Sequence, residues 1–311
     1  MFRIAIVGCG GIGNAHGRSW KEIEGVEIAM VCDLNAERAQ KTGETLGCPW
    51  CTDLKDLPAD LDVVSVATQP QAHYPVVKPL LERGYNVFCE KPLTMNVDQC
   101  KELDALAKEK GVQLGVGVKM RYEAINNEVK KYLPEIGKLV HITSTKIQPY
   151  RPNPEAAWVK QTGASDALSI HDFDLISYIT GLQPKKVLFS EMKHRFGWEA
   201  DDAFAITVDY GDGVTGLLEG MYAVSTTFCY RDFTMTFLGD QGYIRVERPD
   251  RIIVHSDKYR VEEVKDYEKT AFVLELEHFK RAVEGKEENT LTAEAATRAT
   301  WLIEEAKAKS I

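Results

Sequence analysis

Short apolar runs alternate with amphipathic stretches along the first third of the chain. The apolar runs cover residues 3–7, 26–33, 62–68, 86–90 and 112–118. Near-continuous apolar runs of this length are typical of strands buried on both faces. Between them, residues 73–84 and 96–111 have helical patterns that end at glycines. Alternating strands and helices predict an α/β domain with a doubly wound parallel sheet, covered by helices on both faces.

The pattern changes after about residue 118. From residue 203 onward, long apolar runs are joined by the glycine turns "GDG" and "GDQG", which predicts an antiparallel meander. Helical periodicity covers residues 121–133, 169–181, 269–284 and 292–309. The sequence therefore predicts two domains, residues 1–118 and residues 119–311, and the second belongs to the α+β class.

The first strand runs into the segment Gly8-Cys9-Gly10-Gly11-Ile12-Gly13, and a predicted helix follows. The pattern G-x-G-x-x-G between a strand and a helix is the fingerprint of a dinucleotide site. Gly8 permits the tight turn, Gly10 lets the backbone approach a pyrophosphate, and Gly13 lets the helix pack close to the strand. The helix N-terminus then presents free N–H groups and the positive end of its dipole to the phosphates.

The second strand ends at Asp33, 20 positions beyond Gly13. A carboxylate at this place accepts hydrogen bonds from the adenosine ribose hydroxyls and repels the 2′-phosphate of NADP. The alternative is that Asp33 caps the helix that starts near Asn35. The glycines upstream favour the ribose role, so the sequence predicts NAD as the cofactor, with NADP the poorer fit.

Other polar residues lie at the carboxyl ends of predicted strands. The apolar run Val87–Cys89 stops before Pro92, since proline has no N–H to donate within a central strand. Ligands of open α/β sheets bind beyond the carboxyl ends of the strands, so we expect Thr68, Glu90 and Lys91 to face the dinucleotide crevice. The alternative for Lys91 is a solvated surface lysine.

Composition and charge narrow the class of partner. The chain has 311 residues, 38 basic and 47 acidic, with a formal net charge of −9. The basic residues form no stripe, so neither nucleic acid nor an anionic membrane is an expected partner. The opening apolar run stops at Gly8, too soon for an export signal, and no run approaches the length of a membrane span. We therefore expect a cytoplasmic protein.

Seven cysteines are scattered along the chain, at positions 9, 32, 48, 51, 89, 100 and 229, and are predicted to be reduced. Cys48 and Cys51, in "CPWC", have the spacing of a redox dithiol or of half a zinc site. A zinc site needs two further ligands, and the sequence has no second C-x-x-C and no H-x3-H. A redox pair would open a helix directly after a strand, whereas this pair follows a helix. We expect neither function here.

Five segments carry a family resemblance. They are "GCGGIGNAH" at 8–16, "ATQPQAHYP" at 67–75, "CEKPL" at 89–93, "VGVKMRYEAIN" at 116–126 and "GASDALSIHDFDLISYITG" at 163–181. With them the chain resembles the glucose–fructose oxidoreductase/inositol dehydrogenase (Gfo/Idh/MocA) family along essentially its whole length. The resemblance implies an N-terminal Rossmann domain and a C-terminal α+β domain with a large, mostly antiparallel open sheet. It also implies a homodimer or homotetramer built on that sheet, and reversible oxidation of a small-molecule sugar, cyclitol or related polyol.

The resemblance also assigns roles to residues by position. Lys91 resembles the family lysine that contacts substrate and cofactor, and His171 resembles the family acid/base. The implied cofactor-binding residues are Gly8, Gly10, Gly11, Ile12, Gly13, Asp33, Thr68, His73, Glu90 and Lys91. The implied substrate-binding residues are Lys91, Lys119, Arg121, Trp158, Asp166 and His171. The residue types suit the chemistry, because histidine accepts a hydroxyl proton near neutral pH and an ammonium group stabilises alkoxide charge.

One position departs from the family pattern. The family usually has an aspartate four residues before the histidine, and here that residue is Ala167. The neighbouring Asp166 is the candidate to replace it. Asp172 and Asp174 stay outside the catalytic set, because acids in a first helical turn favour the helix dipole.

Several alternatives stay open. Lys119 either meets an anionic or phosphorylated substrate or is solvated, and Trp158 either walls the pocket or packs in the core. The leading interpretation is an NAD-dependent sugar or cyclitol dehydrogenase. A nucleotide-sugar dehydrogenase or ketoreductase is the related alternative. A catalytically silent dinucleotide-binding regulator of the same fold is the alternative from another class.

Overall fold

The computed structural model describes residues 1–150, 157–224 and 231–311. The chain forms two compact units, each with its own sheet and its own apolar core. The first unit consists of Met1–Lys119 and Lys269–Thr297, and the second of Met120–Glu268 and Arg298–Ile311. Within the described ranges, no helix combines the length and the hydropathy that a membrane span requires.

Strands and helices alternate through the first unit. In chain order they are β1 (Phe2–Val7), α1 (Gly11–Lys21), β2 (Val26–Cys32), α2 (Ala36–Leu46), β3 (Trp50–Cys51), β4 (Val63–Val66), α3 (Pro70–Glu82), β5 (Val87–Glu90), α4 (Val97–Lys110) and β6 (Leu114–Gly117). The helix ends follow their sequence signals. The Asn96 side chain accepts the Gln99 N–H at the start of α4, and Gly111, with φ of 66°, ends that helix.

The six strands of this unit form one parallel sheet in the order β3-β2-β1-β4-β5-β6. Every residue of β4, β5 and β6 is buried, as continuous apolar runs predict. The predicted doubly wound parallel sheet is therefore confirmed. The chain order reverses between β1 and β4, and sheets of this type bind ligands beyond the carboxyl ends of the strands at such a switch point.

The second unit contains a larger sheet and helices that pack on it. In chain order the remaining elements are α5 (Ala124–Tyr132), β7 (Leu139–Tyr150), α6 (Val159–Ala164), α7 (Ile170–Thr180), β8 (Lys186–Lys193), β9 (Ala203–Gly211), β10 (Val214–Val224), β11 (Asp232–Gly239), β12 (Tyr243–Glu247), β13 (Arg251–His255), β14 (Tyr259–Glu263), α8 (Ala271–Val283) and α9 (Ala293–Ala308). The sheet order is β14-β13-β12-β11-β7-β10-β9-β8. β7 pairs in parallel with β10, and the other neighbours are antiparallel, so the mostly antiparallel sheet is confirmed.

The sequence pattern did not predict β7, β8 and β14 of this sheet. β7 lies at the centre of the sheet, between β10 and β11. Its inward-facing positions include Ile142, Ser144 and Lys146, all buried, and only the first of these is apolar. Polar residues on the buried face weaken the alternation by which a half-buried strand is found in a sequence.

The structure corrects the predicted domain boundary. Residues 119–311 were expected to form one continuous domain, but residues 269–297 belong to the first unit. The reason is the packing of α8, where Phe279 lies against Phe88 with ring centroids 5.4 Å apart and meets the backbone at Gly115. Helical periodicity reveals an apolar face but does not say which sheet that face covers.

Candidate functional site

The glycine loop lies at the switch point between β1 and β4. Gly8 has φ of 97°, and a Cβ there would stand 2.6 Å from the Ala67 carbonyl oxygen, so glycine is required. A Cβ on Gly13 would stand 1.7 Å from the Gly8 carbonyl oxygen. At Gly10 and Gly11 a Cβ would meet nothing within 4 Å. The loop is therefore closely packed towards the protein and open on its outer side, where Gly10 and Gly11 lie.

The start of α1 follows this open side. Gly10 is the N-cap and supplies no side chain, and the Ile12 side chain is 45% exposed in the first turn. The Asn14 side chain donates to the carbonyls of Cys9 and Gly10, at 3.0 and 2.9 Å. Asn14 was not predicted, and its only sequence signal is an amide directly after the last glycine. Its amide therefore satisfies the carbonyl oxygens of Cys9 and Gly10 within the protein.

Asp33 lies directly after β2, and both of its carboxylate oxygens accept main-chain hydrogen bonds. Oδ2 accepts the Cys9 N–H at 2.8 Å, and Oδ1 accepts the Asn35 N–H at 2.8 Å. The N-cap of α2 is Asn35, whose side chain accepts the Arg38 N–H, so Asp33 is not itself the cap residue, although it accepts the N–H of that residue. A carboxylate has about four lone-pair sites, so two accepted bonds leave capacity for ribose hydroxyls.

Thr68 and His73 follow β4. The Thr68 hydroxyl is buried and has no hydrogen-bond partner among the described residues. The His73 ring is fully buried, with Nδ1 2.6 Å from the Pro92 carbonyl oxygen and Nε2 3.1 Å from that of Thr68. Burial lowers the pKa of His73. The predicted direct contact of His73 with a cofactor is therefore wrong: the ring has no exposed atom, and it connects the two loops that carry Thr68 and Pro92.

Glu90 ends β5 as predicted, but its side chain points into a buried network. Oε1 lies 3.0 Å from His16 Nε2, and Oε2 accepts the Lys91 N–H at 3.1 Å. On its other side, His16 Nδ1 lies 2.9 Å from the Ser65 hydroxyl. Burial alone would raise the pKa of Glu90, but the His16 hydrogen bond and the nearby charges of His16 and Lys91 outweigh it and lower the pKa. His16 and Ser65 were not predicted.

Lys91 follows the last residue of β5 and is half-buried. It stands at the same sheet edge as the glycine loop and Asp33, because all six strands are parallel. Lys119 lies in the short 3-10 turn Lys119–Tyr122, with its Nζ 4.6 Å from the centroid of the Phe272 ring, a cation–π contact inside the first unit.

In the second unit, His171 lies in the first turn of α7. Its exposure sets it apart, because the next five residues are all buried while His171 is half-buried. One turn earlier, Ala167 is also half-buried, within the π-helical turn Ser165–Ser169. Asp166 points the other way: it is 1% exposed and pairs with Lys307 of α9. The hypothesis that Asp166 replaces a carboxylate at position 167 is therefore wrong.

Two buried ion pairs connect α7 to other elements of the second unit. Arg121 donates two hydrogen bonds to the Asp174 carboxylate, from Nε to Oδ2 at 2.7 Å and from Nη2 to Oδ1. Lys146 Nζ, on β7, lies 3.2 Å from Asp172 Oδ1, and burial lowers the pKa of this lysine. The Arg121 side chain is only 9% exposed, so its predicted role in binding substrate gives way to a structural one. The two aspartates are ion-paired rather than simple dipole partners.

Trp158 caps α6, and its carbonyl accepts the Thr162 N–H at 3.0 Å. Its ring is half-buried and packs against the apolar core of the second unit. This agrees with the core alternative and leaves part of the residue exposed.

The cysteines of the described residues are free thiols. Cys48 lies in the loop after α2 and Cys51 in β3, and burial raises the pKa of both. In the part of the chain that the structure describes, no three His, Cys, Asp or Glu side chains are grouped as metal ligands. Cys229 lies outside the described residues.

The carboxyl edge of the first sheet fits a dinucleotide. An open backbone loop and an uncapped helix start suit a pyrophosphate, and a fixed carboxylate with spare lone pairs suits a ribose. The buried Thr68 hydroxyl adds a polar group at the same edge. A bound dinucleotide supplies hydride acceptance at its nicotinamide ring, while these residues hold and orient it.

Comparison with known proteins agrees with this geometry. Residues 2–118 match an oxidoreductase family with an NAD-binding Rossmann fold, and residues 130–310 match the C-terminal alpha/beta domain of the same family. The 2,7-anhydro-N-acetylneuraminate hydratase of Mediterraneibacter gnavus is 30% identical over 258 residues, 79% of this chain and 67% of that protein. The scyllo-inositol 2-dehydrogenase (NAD(+)) of Bacillus subtilis is 26% identical over 301 residues, 90% of this chain and 86% of that protein.

A third relative has both a sequence and a solved structure to compare. The UDP-N-acetylglucosamine 3-dehydrogenase of Acidithiobacillus ferrooxidans is 28% identical over 188 residues, 60% of this chain and 56% of that protein. A solved structure under the same name and organism superposes with a TM-score of 0.87 at 21% identity, over 99% of this chain and 97% of that one. The structural likeness concerns the fold.

The geometry of Asp33 predicts the choice of cofactor. NAD(H) should bind at least about tenfold more tightly than NADP(H), because a carboxylate beside a 2′-phosphate is a like-charge contact. Asp33→Ser should narrow or invert that ratio, measured as two dissociation constants by fluorescence titration. Asp56→Ser removes an exposed carboxylate from the same unit and should leave the ratio unchanged. Equal affinity of the unmodified protein for both cofactors would contradict the ribose assignment.

Proposed function

The chain belongs to the oxidoreductase family with an NAD-binding Rossmann fold, and we propose that it transfers a hydride between NAD and a secondary alcohol of a sugar, cyclitol or related polyol. The observation that carries the proposal is the position of Lys91. It follows β5 at the carboxyl edge of the sheet that also bears the glycine loop and Asp33. A cation at the edge of a dinucleotide site is placed to act on a substrate oxygen.

In the proposed reaction, two bonds break at the carbinol. NAD, held by the glycine loop and Asp33, would accept the hydride of the C–H bond with both electrons, and the His171 imidazole would accept the proton of the carbinol oxygen, so that a carbonyl would remain. The Lys91 ammonium hydrogen-bonds the same oxygen and stabilises the negative charge that develops there. In the reverse direction, imidazolium returns the proton.

The substrate side has less negative charge than is usual for the family, since Ala167 stands where an aspartate is expected. Position 167 shares with His171 the half-buried face of its helical segment. Without a carboxylate at 167, a substrate hydroxyl depends more on Lys91 and His171. Trp158 is half-buried, and an exposed part of its ring would suit the apolar face of a sugar ring. The Lys119 ammonium lies over the Phe272 ring and would meet an anionic substituent.

A nucleotide-sugar substrate is the second candidate. It is favoured by the relative named UDP-N-acetylglucosamine 3-dehydrogenase, which shares 28% identity over 188 residues. Lys119 would meet the diphosphate in that case. A silent regulator is the third candidate, and it requires dinucleotide binding without turnover.

A screen separates these candidates. NAD reduction should be followed at 340 nm over a panel of free sugars, inositols, amino sugars and sugar nucleotides, with product analysis by mass spectrometry for reactions without net reduction. We expect turnover with at least one unphosphorylated polyol. Turnover confined to sugar nucleotides would favour the second candidate. Tight NADH binding with no conversion of any compound would favour the regulator.

Replacement of Lys91 tests the proposed electrostatic role. Lys91→Met keeps most of the side-chain volume but deletes the ammonium, so the fold and most of the NADH affinity should remain. The rate of the chemical step should fall by about two to four orders of magnitude. Single-turnover kinetics measures this step, and Lys110→Met, at an exposed position, is the control. Near-native turnover in Lys91→Met would return Lys91 to the class of solvated lysines.

The pH profile tests the proposed base. Oxidation should slow as the pH falls through the titration of His171, because imidazolium accepts no further proton. The limb should lie between about pH 6 and 8, near the ordinary histidine pKa of about 6.5. His171→Ala should abolish the limb and depress kcat while NADH affinity stays, and His194→Ala, at an exposed position of the same unit, should do neither. A limb that persists in His171→Ala would show that another group is the base.

We also propose that the chain forms a homodimer or homotetramer through the open face of the second sheet. One face of that sheet packs on helices, as the alternating burial of β11, β12 and β13 indicates. Large apolar side chains at least 42% exposed lie elsewhere on its strands: Leu188, Phe189, Leu217 and Leu238. A sheet face with such residues loses unfavourable water contact when a second copy covers it.

Negative charges introduced on the open face of the second sheet should dissociate the oligomer. Leu217→Glu combined with Leu238→Glu should give a monomer, because two carboxylates cannot be buried without partners. Light scattering coupled to gel filtration measures the mass. Leu34→Glu changes the first unit at a position that is 94% exposed and should not alter the mass. A monomeric unmodified protein, or an unchanged mass in the double variant, would contradict this proposal.

A further inference from the structure

A buried chain of hydrogen bonds runs through the first unit and ends at the backbone of Lys91. It passes from the Ser65 hydroxyl to His16, from His16 to Glu90, and from Glu90 to the Lys91 N–H, at 2.9, 3.0 and 3.1 Å. Ser65 and His16 are 0% exposed and Glu90 is 9% exposed. The chain connects three elements, because His16 belongs to α1, Ser65 to β4 and Glu90 to β5.

The direction of the two bonds to Glu90 follows from the chemistry of its carboxylate. The Lys91 N–H can only donate, so Glu90 Oε2 accepts. An ionised carboxylate can also only accept, so His16 Nε2 carries a proton and donates to Oε1. The Ser65 hydroxyl continues the chain at Nδ1, where it accepts if that nitrogen carries a proton and donates if it does not. The carboxylate is thus fixed at both oxygens, one by a side chain and one by the backbone.

The imidazole is also held sterically. Phe88 and Phe272 each lie with their ring centroids 5.6 Å from that of His16, on β5 and α8. A ring between two aromatic side chains keeps one orientation, so Nε2 stays directed at Glu90. A buried carboxylate without such a donor would take up a proton or rearrange, because an unpaired buried charge is costly.

We propose that His16 is a positioning residue of the reaction, which orients Glu90 and through it the backbone from which the Lys91 side chain extends. This inference rests on the proposed function, in which Lys91 acts on the substrate oxygen. Nucleotide binding alone gives no role to this chain, because the glycine loop and Asp33 are fixed by separate contacts. Displacement of a reacting group by about 1 Å costs on the order of 100-fold in rate.

Two amide variants of the same residue separate positioning from packing. The amide of a glutamine ends near the place of Nε2, so His16→Gln keeps a donor to Glu90 and loses the contact with Ser65. The amide of an asparagine ends near Nδ1, so His16→Asn keeps a partner for Ser65 and loses the contact with Glu90. Both replace a buried ring by a smaller polar group, so both create a similar loss of packing.

The first readout needs no substrate. Selective 15N-lysine labelling gives one amide signal for each lysine, and the signal missing from Lys91→Met identifies that of Lys91. In His16→Gln the Lys91 amide should keep its chemical shift and its slow hydrogen exchange. In His16→Asn its shift should move and its exchange should quicken at least about tenfold, the factor for a loss of about 1.4 kcal/mol of protection.

The second readout compares the change in kcat with the change in the Kd for NADH. His16→Asn should lower kcat by about 10- to 100-fold, while the Kd for NADH changes less than about threefold, since the lost interaction serves the transition state. His16→Gln should retain most of kcat. His278→Asn is the matched control, because His278 is another buried histidine of the first unit with a glutamate partner, Glu287, 2.9 Å away.

Each outcome decides the matter. Loss of the Lys91 amide signature and of kcat in His16→Asn but not in His16→Gln supports the positioning role. Equal losses in both variants that match their losses in melting temperature, or no loss in either, overturn it. If His16→Asn does not fold, Glu90→Gln takes its place, since its amide can accept only one of the two donors. A Lys91 amide that responds as expected in a protein with no alcohol turnover would leave the geometry intact and reject the proposed function instead.

Discussion

The first unit depends on one close approach of backbone to backbone. β1, the glycine loop and α1 are so close that a single Cβ on Gly13 would stand 1.7 Å from the Gly8 carbonyl, and one on Gly8 would strike the end of β4. This contact brings the start of α1 to the switch point of the sheet. It sets the open side of the loop at Gly10 and Gly11, and it places Cys9 where its N–H meets Asp33. The features assigned to the dinucleotide follow from packing that only glycine permits.

Buried charge is the second constraint, and it decides which polar residues remain for chemistry. Arg121 and Asp166 have the residue types of substrate ligands, yet each is buried and paired, with Asp174 and with Lys307. Burial of an ion costs several kcal/mol of hydration free energy, so a buried charged side chain pairs with an opposite charge. Lys91 and His171 differ from these residues, because both are half-buried. Exposure at the carboxyl edge or on α7 therefore separates the candidate catalytic groups from the structural ones.

Features that depend on neighbouring residues could be predicted from the sequence, whereas features that depend on distant residues could not. The parallel sheet, the glycine loop, the cap at Asn96 and the end of α4 at Gly111 are local patterns, and the structure confirms them. Pro92 lies 19 residues from His73, Asp174 lies 53 residues from Arg121 and Lys307 lies 141 residues from Asp166, so no local pattern reveals these contacts. β7 was missed because Ser144 and Lys146 occupy its buried face. The return of α8 to the first unit was missed because an apolar helical face does not specify its sheet.

The buried chain from Ser65 to Lys91 bears on the choice between an enzyme and a silent regulator. A regulator of this fold needs the glycine loop and Asp33, and both are fixed without His16. Burial of a carboxylate and an imidazole has a free-energy cost that hydrogen bonds only offset, so such a group is informative where no binding contact explains it. Here the last member of the chain is the backbone of Lys91, one residue beyond β5. The Lys91 main chain is held by this chain while its side chain stays half-buried at the cofactor edge, which supports the role that we propose for it. Under the proposed function, Ala167 in place of a carboxylate bears on which alcohol is accepted, rather than on whether the chain transfers a hydride.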